Sequence, residues 1–582
     1  MRSCRNEWRY PLAAALLGAG SLAFALAHGA PAMAQASAPV RLLPSSPGTA
    51  PTIPDNPSPP APVPAPSDEP ITATPLAPVD PAWIGAPGET APLPQTMWAG
   101  TSRALVRAAL PLLGPTTSPT LQALSRRLLA SDAAAPAGQD APDQPGLAAL
   151  RIERMAALGA VDEALGVIAA LPATLRSEAL DRSRVELTFA RNETENACRQ
   201  VQDNIGRYQG LWWDRALIAC QALTGDRAKA GLGLDLLREQ KVPPDPGFDA
   251  LIGAVGVRPA KLEKLPQPTP MLMTLLAAAK LPLAADTLAS ADLPSLRAWA
   301  GNETVPPLQR LPAAERATAL GAMPPAALAE LYGKVVFKPE ELGAAIKQGK
   351  APTIPRERAL LFQVARTDPA AGVRAAALEA LLVEAKKRNA FIAMARAVAP
   401  ILVELPASPD LAGFAPNAIR ALYAAERPDV AASWQGFVDP PTAPTLPLLQ
   451  RIAQGESGPA RDATALGAEL LALSKREPAQ AAMAAAALSA IDDPVMQGQP
   501  IILGEAYAVK APNVTLTIDL QRAGAGKRIG ETVLMALLVA RGDDYLTAEP
   551  QALLEAVTGL RAIGLYAEGR ALAREAALDA GL

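Results

Sequence analysis

Proline closes short apolar runs throughout this chain, as at Leu171-Pro172, Leu265-Pro266, Leu281-Pro282, Leu311-Pro312, Met323-Pro324 and Leu405-Pro406. Proline lacks the N–H that backbone ladders need and pushes its predecessor out of the helical region, so the elements here must be short. Between the breaks, apolar residues recur at steps of three and four. Ile152, Met155, Leu158, Val161, Leu165 and Ile168 mark one buried helical face. Hydrophobic residues make up 50% of the chain but aromatic ones only 4%, so alanine and leucine must fill the interior. Alanine lets helices approach closely and is a poor strand former, which points to helix packed on helix. The expectation is an all-α protein: an α-solenoid or superhelix of short antiparallel helix pairs, with the prolines at the turns, preceded by a disordered Pro-rich segment. Val514-Thr515-Leu516-Thr517-Ile518-Asp519-Leu520 alternates with strand period. A lone strand would leave its backbone groups unpaired in such a chain, so a helix is expected there too.

Arg2, Arg5 and Arg9 precede an apolar stretch from Leu12 to Ala27, and Ala32-Met33-Ala34 supplies the small-x-small pattern of a signal peptidase site. A signal peptide over 1–34 is therefore expected, with the mature protein periplasmic or secreted. Glycines at 18, 20 and 29 cut the apolar run short of the roughly 20 residues a spanning helix needs, and no later segment is long enough either. No mature transmembrane segment is expected. Residues 35–100 form a Pro/Ala-rich linker, typified by Pro57-Ser58-Pro59-Pro60-Ala61-Pro62-Val63-Pro64-Ala65-Pro66, expected to be disordered and polyproline-like. A helical hairpin is expected over 101–130, with Leu105, Leu110, Leu112 and Leu113 before Gly114-Pro115 and Leu121, Leu124, Leu128 and Leu129 after it. A second disordered linker over 131–146 leads into helical-repeat regions over 147–346 and 347–582.

The only histidine, His28, lies in the signal peptide. Its removal excludes Ser-His-Asp and Cys-His triads, two-histidine zinc sites and histidine general bases together. No cofactor or metal is expected. Two cysteines follow the signal, Cys198 and Cys220, on helices joined through Tyr208-Gln209-Gly210. In an exported protein they should form a disulfide that staples a helical hairpin, worth about 3 kcal/mol for a loop of this size. Beside it, one of Trp212 and Trp213 should be buried and the other exposed. Gly524-Ala525-Gly526-Lys527-Arg528-Ile529-Gly530 superficially suggests a phosphate loop. Gln521 stands where a Walker motif needs glycine, and Arg528 follows the lysine in place of Ser or Thr, so a turn before a helix is expected. Lys plus Arg total 54 against 57 for Asp plus Glu, with no basic stretch interleaved with aromatics, so nucleic acid is not a partner to expect.

Leu158-Gly159-Ala160-Val161-Asp162-Glu163-Ala164 and Leu223-Thr224-Gly225-Asp226-Arg227-Ala228-Lys229-Ala230 resemble the turn of tetratricopeptide repeats, as does Leu560-Arg561-Ala562-Ile563-Gly564-Leu565-Tyr566-Ala567-Glu568-Gly569. Asp368 to Leu381 resembles one HEAT-type helix. The composition as a whole resembles exported alanine-rich helical proteins. The repeat resemblance implies a concave helical face for protein or peptide contact, and hence a non-catalytic scaffold with a protein partner in the cell envelope. A second resemblance implies an alternative. Gln454-Gly455-Glu456-Ser457-Gly458, followed by Ala463-Thr464-Ala465-Leu466-Gly467-Ala468, is similar to segments of lytic transglycosylases, periplasmic enzymes that cleave peptidoglycan with a single acid. On that reading Glu456 protonates the glycosidic oxygen and then acts as base, with peptidoglycan as substrate. The family's Gly-Leu-Met-Gln segment is replaced here by Ala468-Glu469-Leu470-Leu471, and Ala506-Tyr507-Ala508 lacks its asparagine.

Overall fold

The computed structural model describes residues 80–582 except 89–90, 142–143, 258–264, 266, 347–350, 440–442, 456–461, 497–512 and 543–548. Residues 1–79, which hold the expected signal peptide and most of the expected linker, fall outside it. Among the described residues there are 27 α-helices and no strand, and the helices pack largely in consecutive pairs.

Near the start lie α1 (Arg103–Ala109) and α2 (Pro119–Ala130), followed by α3 (Leu147–Ala157) paired with α4 (Val161–Ala170). Next come α5 (Glu178–Ala190) with α6 (Thr194–Asn204), and α7 (Leu211–Leu223) with α8 (Arg227–Glu239). The middle holds α9 (Pro246–Ala254), α10 (Pro270–Ala278), α11 (Ala285–Ser290), α12 (Leu293–Gly301), α13 (Pro307–Ala319), α14 (Pro325–Gly333) and α15 (Pro339–Ala344). Beyond it run α16 (Pro355–Thr367), α17 (Ala371–Lys387), α18 (Phe391–Glu404), α19 (Ala415–Ala424), α20 (Pro428–Trp434) and α21 (Leu446–Gln454). The last group is α22 (Ala463–Arg476), α23 (Pro478–Ala490), α24 (Val514–Ala525), α25 (Ile529–Val539), α26 (Pro550–Ala562) and α27 (Tyr566–Ala580). Many of these helices begin with proline, where the missing N–H is one the first turn would leave unbonded anyway. Val514-Leu520 is helical, as its surroundings required.

One turn recurs between the pairs. The joints α3/α4, α5/α6, α7/α8, α17/α18, α19/α20, α24/α25 and α26/α27 each place one residue at positive φ: Gly159, Asn192, Gly225, Asn389, Glu426, Lys527 and Gly564. Its N–H, and that of its successor, donate back to carbonyls of the helix just ended. Gly159 N reaches Ala156 O at 2.9 Å and Ala160 N reaches Met155 O at 2.9 Å; Lys527 N and Arg528 N reach Gly524 O and Ala523 O at 3.1 and 3.0 Å. This is the Schellman arrangement, which satisfies the last carbonyls while reversing the chain. All three tetratricopeptide-like segments are this turn. At Gly159 the glycine is required twice over, by φ 74° and because a Cβ would fall 2.6 Å from Ala322 Cβ.

The structure departs from the expected disorder before α1 and before α3. Trp83, Met97 and Trp98 are buried, and Trp83 meets Trp98 edge to face with ring centroids 4.7 Å apart. Arg151 is fully buried under this segment, donating to Leu129 O at 2.5 Å, Ile84 O at 2.8 Å and Ser131 O at 3.2 Å while lying over the Trp83 ring. Burial lowers its pKa to about 9, against the attraction of Asp132. The second supposed linker is tied down as well: Asp140 pairs with Arg103 at 3.0 Å and Arg107 at 2.8 Å. Composition misled here because a few tryptophan, arginine and aspartate anchors outweigh many disorder-promoting neighbours. A second correction concerns Leu311-Pro312, which does not end a helix. Pro312 lies inside α13, where the flanking Leu311, Ala313 and Ala314 are fully buried and hold the helix through the lost bond.

The segment from residue 80 to α2 docks on the last helices of the chain. Gly530 N donates to Met97 O at 2.8 Å, and Thr101 Oγ1 to Glu531 at 3.0 Å. At the start of α2, Glu575 of α27 accepts from Ser118 Oγ, from Thr120 N at 3.1 Å and from Thr120 Oγ1 at 2.7 Å. Its carboxylate thus occupies the donor-rich N-terminus of α2. Burial pushes its pKa up, and the two hydroxyl donors oppose that push. A different brace joins neighbours in sequence. Glu315 of α13 receives both guanidinium arms of Arg358 at 2.7 Å, Arg388 at 2.9 Å and Tyr332 OH at 2.7 Å, tying α14, α16 and the end of α17 to one carboxylate.

Candidate functional site

A cleft of about 430 Å³ opens between α19, α21 and α22. Helical spacing aims its walls. Ile419 and Tyr423 are four apart on α19, Leu446 and Gln450 four apart on α21, and Glu469, Ala472 and Arg476 share one face of α22. The connection after α20 adds Gln435, Val438, Ala443 and Pro444. Behind it, Trp434 is fully buried against Phe414, their centroids 5.7 Å apart, which fixes the start of that connection.

The walls are mostly apolar and the polar groups converge, the usual composition of a ligand site. Tyr423 OH accepts from Gln454 Nε2 at 3.2 Å. Burial pushes its pKa up to about 12, so it stays a neutral phenol. The amide nitrogens of Gln435 and Gln450 are buried, and the Gln435 side chain hydrogen-bonds the Tyr423 phenol, opposing the push of burial on its pKa. Glu469 contributes a carboxylate to the wall, and Arg476, at the end of α22, is exposed at the rim.

Of the residues singled out from the sequence, Gln454 borders the cleft through Tyr423, while the cysteines, the tryptophans beside them and the glycine-containing stretch lie elsewhere. Cys198 and Cys220 form the expected disulfide, Cα–Cα 5.4 Å, joining α6 to α7. Trp213 is fully buried there and Trp212 partly so, Trp213 stacking on Tyr208 at 5.4 Å. The Gly524 to Gly530 stretch is the turn between α24 and α25, with Arg528 paired to Glu531 at 2.8 Å. Glu456 lies outside the described residues, as does Ala506-Tyr507-Ala508. Among the described residues no helix is long and apolar enough to cross a membrane. The cleft's own polar residues were not found from the sequence. Glutamine carries no catalytic or metal signature, and Gln435 and Gln450 are brought together only by folding. No protein-family model, curated protein or solved structure matches the chain.

Proposed function

We propose that the chain is an exported, non-catalytic scaffold that engages a protein partner in the cell envelope through its helical array. The carrying observation is the long-range closure. Contacts from Thr101 to Glu531, and from Ser118 and Thr120 to Glu575, tie the first helices to the last and hold the array in one shape. A fixed frame loses little conformational freedom when a partner binds. The disulfide suits an oxidising compartment, which agrees with export. On α8, Leu232 and Leu236 stand one turn apart and are 60% and 47% exposed, an outward apolar pair away from the closure.

The test is a photo-crosslinking residue at position 236 in intact cells. A single adduct of defined mass, lost when Leu232→Asp is added, is the expected result. A monomer that yields no adduct at position 236 or at other exposed helix positions would overturn the reading. So would release of soluble fragments from cell-wall sacculi by the purified protein that disappears in Glu456→Gln.

A further inference from the structure

One face of α8 turns away from the array. The helix packs chiefly on α7 and less closely on α9, burying Ala230, Leu234 and Leu237, and its opposite side meets solvent. Along that open side Lys229, Leu232, Leu236 and Glu239 follow one another at steps of three, four and three, all of them exposed. This spacing is that of the seam in a two-helix coiled coil, here about 15 Å long. Gly225 and Pro243 continue it at either end and are exposed as well, so the fold leaves the whole stripe uncovered.

The order of residues along the stripe decides what fits it. Read backwards, Lys-Leu-Leu-Glu becomes Glu-Leu-Leu-Lys. Two copies of α8 laid antiparallel about a two-fold axis midway between Leu232 and Leu236 therefore set Leu232 of one copy against Leu236 of the other, and Lys229 of one against Glu239 of the other. A parallel pair would oppose lysine to lysine and glutamate to glutamate. We infer that α8 pairs antiparallel with α8 of a second copy of this chain through this seam. The neighbouring charges permit it. Lys229 meets Asp226 at 2.7 Å, and an ammonium with three donors on an exposed stem can meet a second carboxylate too. Asp235 borders the seam close to the axis, and Arg238 at 2.7 Å offsets its charge where two copies approach. A single helix pair of this length falls short of the roughly 1,200 Å² of a stable interface, so the pairing is reversible and depends on concentration. The inference rests on the reading of α8 as a contact face of the scaffold and names the occupant of that face.

Sedimentation equilibrium of the purified protein from about 1 to 200 μM tests it, and a monomer–dimer equilibrium is expected. Leu232→Asp puts an acid at the middle of the seam and should abolish the dimer. Lys229→Glu and Glu239→Lys should each weaken it by about tenfold, since each reversal acts twice across the axis. Combined in one chain, or mixed as two single variants, they should restore association to within about threefold of the wild type. These side chains are exposed, so circular dichroism and Tm should stay at the wild-type values. The photo-adduct at position 236 should have twice the mass of the chain. No dimer up to about 200 μM, a dimer indifferent to Leu232→Asp, or no restoration by the combined charge exchange would overturn the inference. An adduct of any other mass, from a chain that sediments as a monomer, would overturn it and leave the scaffold reading standing, whereas no adduct at any exposed helix position would remove both.

Discussion

Two buried carboxylates hold this molecule together in opposite ways. Glu315 is met by two guanidinium groups and a phenol, from helices that follow it within 73 residues. Glu575 is met by two hydroxyls and a backbone N–H from a helix some 455 residues earlier in the chain. The first brace cancels its charge and the second does not. A local brace can form as neighbouring helices pair. The closure joins residues about 455 apart and so costs more loop-closure entropy, and it leaves a carboxylate whose pKa burial pushes up.

Removing the local carboxylate should do the most damage. Glu315→Ala leaves Arg358, itself 1% exposed, as an uncompensated buried cation, so a loss of about 3–5 kcal/mol in urea unfolding is expected. Replacing both partners, as Glu315→Leu with Arg358→Met, should restore much of it, because no charge is left buried alone. A double variant no better than the single would show that the brace acts through packing instead. Glu575→Ala should cost less, about 2 kcal/mol, since it strands hydroxyl and amide donors but removes a charge the interior disfavours. Its loss should also be regional: amide exchange should rise over residues 97–130 and stay unchanged around Arg358. Equal exchange in both regions would dissolve the distinction between them.

The same contrast gives a pH dependence. A carboxyl whose pKa is raised on folding binds its proton more tightly in the folded state. Its contribution is fully present below the ordinary value of 4.5 and is lost as pH rises through the folded value. Stability of the closure should therefore fall above about pH 4.5, and Glu575→Gln should flatten that fall. The groups facing Glu575 are Ser118, Thr120, Arg396 and Arg574. Glu186 works in the same direction at another helix start. Its carboxylate accepts from Met271 N of α10 at 3.1 Å, and burial pushes its pKa up to about 7 even though the residue as a whole is only partly buried. Glu186→Gln should remove a further part of the decline between pH 4.5 and about 7. A wild-type profile flat across that range would contradict both assignments.

Much of the architecture was legible because it is local. Step-three and step-four apolar spacing marked the helices, proline marked the turns, and Gly159, Gly225 and Gly564 exposed three of the reversals. The closure was not legible. Nothing in Ser118 or Glu575 alone announces a partner across the chain, and the proline-rich composition before α1 hid the anchors Trp83 and Trp98. The cleft was illegible for a related reason, since Gln435, Gln450 and Arg476 acquire meaning only from their convergence. Even among the turns the sequence showed only those that use glycine. Asn192 and Asn389 make the same reversal with the side chain that tolerates positive φ best after glycine, and Glu426 and Lys527 with side chains that usually avoid it.

That last group supplies the smallest test and a control for the others. Lys280 follows α10 at φ 55°, with its N–H on Ala277 O at 2.9 Å and that of Leu281 on Leu276 O at 3.2 Å, the same helix ending again. Its side chain is exposed, so the backbone conformation is the main thing a substitution there changes. A left-handed conformation costs an ordinary residue roughly 1–2 kcal/mol and glycine almost nothing, while glycine's freedom in the unfolded chain takes back part of the difference. Lys280→Gly should therefore stabilise the protein by about 0.5 kcal/mol, read as a small rise in urea midpoint with m unchanged. Exchange at Met97 and Thr101 should not move, because a turn in the middle of the chain has no route to the contact at Glu575 except through global stability. A change confined to that contact would mean that local turns and the closure are coupled, and the separation between the two braces would have to be given up.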